Sequence, residues 1–336
     1  MRKVLLGLVI LVVLAGGVVV YSVRSYVAAT RGKPGGSTVK FTVHPGDSLS
    51  ALGPSLRSAG VIDSPRDFKI WLRVSGSSLS LQQGDYDLRR HMPYREVVAT
   101  LAKGPAVISE GLLLREGLTV SETASAVGAL KIAHISPEAF RAAATTATVV
   151  PDVPAPGSPT LEGYLYPDTY SVEPKETAEG LVRQIVTEFN KKAAQLTWTS
   201  PPGGVTPYQA LVIASMVERE AKASSDGPMI AAVIYNRLRA GMKLGIDATT
   251  YYAVHKPFGA NLTQSDLAFL SPYNTRAVVG LPPTPIDSPQ LSSMRAALQP
   301  SASDALYYVL SSDCVHHSFF KSASEFDAAA KRQPKC

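Results

Sequence analysis

Tyr208-Gln209-Ala210-Leu211-Val212-Ile213-Ala214-Ser215-Met216-Val217-Glu218-Arg219-Glu220-Ala221 is the stretch on which the fold turns. It is apolar on every helical face until its last residues, the pattern of a helix inside a protein rather than on its surface. Pro207 suits the first helical position, and the helix is expected to run to about Ala223. A carboxylate in such a helix needs a reason, because apolar surroundings disfavour an unpaired charge. Glu218 lies over Leu211, Ala214 and Ser215, at i−7, i−4 and i−3, whereas Glu220 points about 200° away. The two acids therefore do not form a pair on one face. Apolar neighbours and the negative end of the helix both disfavour ionisation of Glu218, which suits it to general acid work near neutral pH. The bland alternative is a structural ion pair between Glu218 and Arg237 of the next helix.

Working outward, Thr177 to Leu196 has amphipathic spacing with Leu181, Ile185, Val186 and Phe189 inside. Ser200-Pro201-Pro202-Gly203-Gly204 ends that segment. A helix from about Pro228 to Ala240 is closed by Gly241, and Ala305 to Leu310, around Val309, reads as a buried strand. Pro151 to Pro159 is a loop rich in proline. Strands and helices mix without a regular βαβ alternation, which predicts an α+β fold.

Two segments nearer the N-terminus resemble each other. Gly46-Asp47-Ser48-Leu49 precedes Leu52 and Leu56 and then Ser64-Pro65-x-x-Phe68; Gly117-Leu118-Thr119-Val120 precedes Thr123 and Val127 and then Ser136-Pro137-x-x-Phe140. Each unit predicts a hydroxyl N-cap before a short helix, with Ser-Pro opening a second helix. Thr119-x-x-Glu122 predicts a capping box. Two copies are a duplicated small module rather than a solenoid.

The chain has 336 residues and a formal net charge of +6, which by itself suggests a polyanionic partner. Arg2, Lys3, Arg24, Arg31 and Lys33 lie in the first 33 residues with no acid among them, leaving 28 bases against 27 acids beyond. Nucleic acid is therefore excluded as the expected partner. Val4 to Val23 holds no charge, and twenty helical residues span about 30 Å, a bilayer's hydrocarbon core. Arg2 and Lys3 before it place the N-terminus in the cytoplasm and the remainder outside. A cleaved signal peptide is the competing reading, but the apolar run exceeds the usual roughly 7–15 residues. The expected organisation is a cytoplasmic tip and transmembrane anchor at 1–23, a flexible linker at 24–40, a small subdomain at 41–105 and a larger mixed catalytic domain at 106–336. Cys314 and Cys336 are placed to bridge in an oxidising compartment or to remain two thiols. Cys314-x-His316 is too sparse for a metal site, and neither metal nor cofactor is expected.

Beyond the buried helix comes a polar cluster that no core requires: Tyr235-Asn236-Arg237, Asp247, Ser271-Pro272-Tyr273-Asn274-Thr275 and Gly280-Leu281-Pro282-Pro283-Thr284-Pro285-Ile286. Hydroxyl and amide groups on loops stiffened by proline suit a carbohydrate cleft, with turn chemistry as the alternative. Asn236, Asp247, Tyr273, Asn274 and Thr275 are the substrate-binding candidates. Asp168, in Tyr166-Pro167-Asp168-Thr169-Tyr170, is either a second acid or a turn residue.

Taken in order, Glu162-Gly163-Tyr164-Leu165-Tyr166-Pro167-Asp168-Thr169-Tyr170, Ala214-Ser215-Met216-Val217-Glu218-Arg219-Glu220, Tyr235-Asn236-Arg237-Leu238 and the two loop motifs above resemble the YceG-like endolytic murein transglycosylases. Phe41-x-Val43-x-Pro45-Gly46-Asp47-Ser48-Leu49 is similar to the opening of a LysM module, which in that family forms a small subdomain. The resemblance implies cleavage of peptidoglycan between MurNAc and GlcNAc within a strand, leaving 1,6-anhydro ends. It places the family's catalytic glutamate on Glu218, and it implies membrane attachment with peptidoglycan synthases as neighbours. An intramolecular 6-hydroxyl nucleophile removes the need for a second carboxylate to hold water. The family usually has Leu-Gln-Ser/Thr-Asp-Pro-Thr where this chain has Leu244-Gly245-Ile246-Asp247-Ala248-Thr249, so contacts at Gly245, Ile246 and Ala248 are not carried over, and strand preference is open. The competing functions are a hydrolase of the same bond with Asp168 or Asp247 as partner, and a non-catalytic, membrane-tethered peptidoglycan-binding scaffold.

Overall fold

Phe41 and Val43 on one strand, and Tyr86 and Leu88 on another, alternate with polar residues, so each strand buries a single face. The computed structural model describes residues 36–77, 81–106, 109–131, 133–154 and 157–332. Two compact units divide the chain, 1–108 and 109–336. In the first, β1 (Thr38–Val43) pairs antiparallel with β2 (Gly84–Arg89), Phe41 opposite Tyr86. Between them lie α1 (Gly53–Ser58) and α2 (Pro65–Ser75), and α3 (Tyr94–Ala102) follows. Leu56, Phe68, Leu88 and Val97 are fully buried in one core. Ser64 caps α2 through the Asp67 N–H, with Pro65 at its first position, as the Ser-Pro signal predicts.

The first copy of the repeat departs from expectation at its first helix. Ser48 caps no helix there: Leu52 N–H reaches Ser48 O, making one turn, and α1 begins only at Gly53. Pro54 accounts for the break, since it lacks an N–H and its ring crowds the carbonyl four residues back.

The second unit opens with β3 (Glu110–Leu113), α4 (Val120–Gly128), α5 (Pro137–Ala143) and β4 (Thr169–Val172), and β3 and β4 pair antiparallel. Thr119 and Glu122 form the capping box on α4, and Ser136 caps α5. Then come α6 (Ala178–Ala193), α7 (Pro207–Glu220), α8 (Gly227–Arg239), α9 (Asp247–Ala253), α10 (Gln264–Leu267) and α11 (Leu291–Leu298). A hairpin of β5 (Tyr307–Leu310) and β6 (His317–Phe320) and the helix α12 (Ala323–Ala330) complete it. Both small sheets and the surrounding helices make an α+β architecture.

The quoted stretch is the central element. From Ala210 to Val217 every residue of α7 is at most 1 % exposed, so the uniformly apolar pattern does mark an interior helix. α8 and α11 pack on it, and a methyl at Gly227 would sit 3.2 Å from the Ala296 Cβ and 3.4 Å from Val217. Thr206 and Gln209 cap the start of α7, and Ala221 leaves helical conformation at its end, two residues before the expected limit. The strand at 307–310 is half-buried rather than buried, because it has one partner strand and forms a surface hairpin. The apolar run Val4–Val23, most of the linker and Cys336 lie outside the described residues. Among the described residues no helix is long and apolar enough to cross a membrane, and no free cysteine occurs.

Candidate active site

Glu218 stands on the last turn of α7, where the helix emerges from the core. The chain arrives opposite it at Gln290, the N-cap of α11. Gln290 grips the carboxylate twice: its backbone N–H donates to Oε2 at 3.0 Å and its side-chain Nε2 to Oε1 at 3.2 Å. Burial pushes the Glu218 carboxyl above the ordinary range, against the Ser293 hydroxyl and the Gln290 donors, which favour the charged form. The carboxyl borders a cavity of about 330 Å³ whose wall includes Lys222, Ser224, Gln290, Ser292 and Ser293. Among the described residues lining it, Glu218 is the one carboxylate. Arg237 does not neutralise it, being committed to the carbonyls of Leu306 and Leu244.

Two contacts fix the chain path that delivers Gln290. The buried Ser215 hydroxyl donates to Val212 O and accepts the Ile286 N–H. Gly163, at φ 93°, leaves room for Pro285, which a Cβ there would approach to 2.5 Å.

Arg219, the next residue, faces the other way. Its Nε donates to Asp287 at 2.9 Å, and its Nη2 reaches Gly117 O and Glu122. Its guanidinium lies 3.4 Å over the Phe258 ring. Asp287 is wholly buried, and desolvation pushes its carboxyl well up against the pull of Arg219. Beyond Arg219 lies Glu162, 4 % exposed, which accepts the Val120 N–H at 3.0 Å and the Tyr252 hydroxyl at 3.2 Å. Burial outweighs those two bonds and raises Glu162 to about 8.

Glu220 turns away from Glu218, as the helical angle requires, and accepts the Tyr308 hydroxyl at 2.8 Å. Most of the candidate polar residues are spent on the protein itself. Asn236 donates both amide protons, to Ser303 O and Ala305 O. Asn274 is wholly buried; its amide donates to the carbonyls of Asp266, Leu267 and Phe269 and accepts the Thr250 hydroxyl. Thr275, also wholly buried, bonds the Thr249 hydroxyl and the Ile246 N–H. Tyr273 is half-buried and meets the Thr284 hydroxyl at 3.0 Å. Asp247 is exposed and paired with Arg276. Asp168 is an exposed turn residue bonding the Thr169 N–H. None of these residues lines the Glu218 cavity.

A carboxylate also ties the C-terminal hairpin to this region. Asp226, between the cavity residues Ser224 and Gly227, accepts the His317 N–H at 2.6 Å and meets Nδ1 of His317 at 3.0 Å and of His316 at 3.3 Å. Sequence reasoning singled out neither Gln290 nor Ser293, and it quoted Glu162 and Arg219 only inside motifs. The available signals were the acid Asp287, set between Pro285 and Pro289, and the hydroxyl-rich start of α11.

The YceG-like family pattern matches residues 41–332. An endolytic murein transglycosylase of Bacillus subtilis is 30% identical over 289 residues, covering 82% of this chain and 80% of that protein. One from Streptococcus pneumoniae is 30% identical over 291 residues, covering 79% of this chain and 52% of the relative. The chain thus spans about half the length of the pneumococcal relative. A crystal structure of a YceG-like protein from Listeria monocytogenes superposes with a TM-score of 0.57 at 27% identity, over 88% of this chain and 99% of that one.

Proposed function

The chain belongs to the YceG-like family, and from that membership we propose that it is a membrane-anchored endolytic lytic transglycosylase of peptidoglycan, with Glu218 as its general acid and base. The observation that carries this reading is a half-buried carboxyl held by two donors at the edge of a cavity with no second carboxylate in its described lining. Protonated Glu218 donates to the bridging oxygen as the bond from MurNAc C1 to GlcNAc breaks. The resulting carboxylate takes the proton of the sugar's own 6-hydroxyl as that oxygen closes on C1. Gln290 and Ser293 stabilise the charge that forms between the two steps. A hydrolase of the inverting kind would need a second carboxylate to activate water about 6.5–9.5 Å away.

The strand–helix–helix–strand arrangement of the first unit supports the LysM-like reading of its opening. The uncharged run Val4–Val23 supports attachment to the cell membrane with the catalytic unit outside the cytoplasm, near peptidoglycan synthases. The test is digestion of purified sacculi by the full chain, read by mass spectrometry. The parent should release 1,6-anhydro-ended fragments, and Glu218→Gln should lower that release by at least about 100-fold. Equal release by the variant removes Glu218 from the chemistry, and fragments heavier by one water would make the enzyme a hydrolase.

A further inference from the structure

A second cavity, of about 560 Å³, is lined by Glu122 and Phe258, which Arg219 contacts. Its size falls within the roughly 300–1,000 Å³ of small-molecule sites. Arg219 bonds Glu122 and stacks on Phe258, both of which line the second cavity, whereas its neighbour Glu218 borders the first. Three aromatic rings face it, Tyr251, Tyr252 and Phe258, together with the hydroxyls of Thr119, Ser121, Thr145 and Thr160. The Thr119 and Thr160 hydroxyls accept the N–H groups of Glu122 and Glu162, which leaves their protons to donate.

The charges around this cavity are cancelled inside the protein. Arg141 pairs with Glu138, Lys256 with Asp266, and Arg219 with Asp287 and Glu122. Glu162 sits at the cavity wall within the reach of Tyr252, Glu122 and Arg219, and burial pushes its carboxyl up to about 8. His255, on the same wall, holds a left-handed φ of 54°, uncommon for a residue with a side chain. A wall of aromatic faces and hydroxyls without an uncompensated charge discriminates against ions and matches a ligand that offers apolar ring faces and many hydroxyls.

We propose that this cavity is a saccharide-binding site that holds a neutral N-acetylhexosamine unit, apart from the point of cleavage. As an outlying subsite of the strand that Glu218 is proposed to cut, it rests on that reading. Its occupation would hold the strand at a unit distant from the scissile bond.

The test is calorimetric titration of the full chain with chitotetraose, in a Glu218→Gln background so that nothing is consumed. Ser121, exposed on the first turn of α4, can carry a bulky ring into the mouth without touching the Glu162 bonds. Ser121→Trp should weaken binding at least tenfold, and Ser121→Ala, which loses one hydroxyl but leaves the mouth open, should weaken it by less. Methyl NMR of the Glu218→Gln protein provides a readout without occlusion: chitotetraose should shift the Ala144, Thr145 and Thr160 methyls. Unchanged affinity in Ser121→Trp, or shifts confined to residues around Gln290 and Ser293, would overturn the site. Anhydro-fragment release by the parent chain is scored separately, so loss of this site and loss of the transglycosylase reading are told apart.

Discussion

Replacing Gln290 by Met tests how the acid is tuned. The substitution removes one donor, Nε2 on Oε1 at 3.2 Å, and keeps the backbone N–H on Oε2 at 3.0 Å. Methionine has similar length and flexibility, so the packing at the start of α11 changes little. A hydrogen bond to a charged group contributes about 1.5–3 kcal/mol, and water entering the open side of a half-buried site returns part of it, leaving a loss of about 1–2 kcal/mol for the carboxylate. The lost donor favoured the charged form, so its removal makes Glu218 hold its proton to higher pH. At about 1.4 kcal/mol per pH unit, the alkaline limb of the kcat/KM profile should move upward by about one unit. The assay is release of anhydro-ended fragments from sacculi between pH 5 and 9. A limb that stays in place or moves to lower pH would refute the reasoning, because a donor on a carboxylate can act in only one direction.

Three further outcomes follow from buried groups. Glu162 titrates at about 8 in the folded chain against an ordinary 4.5, so the folded state holds the extra proton between those values. Stability should fall as pH rises from about 4.5 to about 8 and level off above; Glu162→Gln should flatten this slope in urea titrations, by up to a few kcal/mol across the window. Arg219→Met leaves Asp287 buried without its partner and should cost about 3 kcal/mol, while Arg219→Met/Asp287→Asn should recover part of it; equal loss in both proteins would show that stacking on Phe258 dominates. Asn274→Ala strands three loop carbonyls and the Thr250 hydroxyl and should lower the urea midpoint by the equivalent of about 2–3 kcal/mol.

The elements governed by local rules were legible in the sequence. Thr119 with Glu122, Ser136 with Pro137, and the uniform apolarity of 208–217 each specify a cap or an interior helix through contacts within a turn or two. Glu218 stood out for the same reason, a charge where the helical pattern asks for none. What surrounds it was not legible: Gln290 is 72 residues away and Asp287 is 68 residues from Arg219, and no periodicity encodes a meeting at that separation. The polar cluster shows the reverse. Asn274 and Thr275 have the chemistry of a sugar-binding loop and use it on their own backbone, because a buried loop must satisfy its carbonyls and N–H groups before any ligand.

The attachment of the terminal hairpin through Asp226 bears on how this protein fails. His316 and His317 hold the segment between Ser224 and Gly227 from 90 and 91 residues downstream in the chain, by way of a single carboxylate. A nick or premature stop that removed them would delete no residue lining the acid's chamber, yet one side of that chamber would come loose. Damaged copies would retain every residue that lines the Glu218 cavity and lose the contact that holds one side of it in shape.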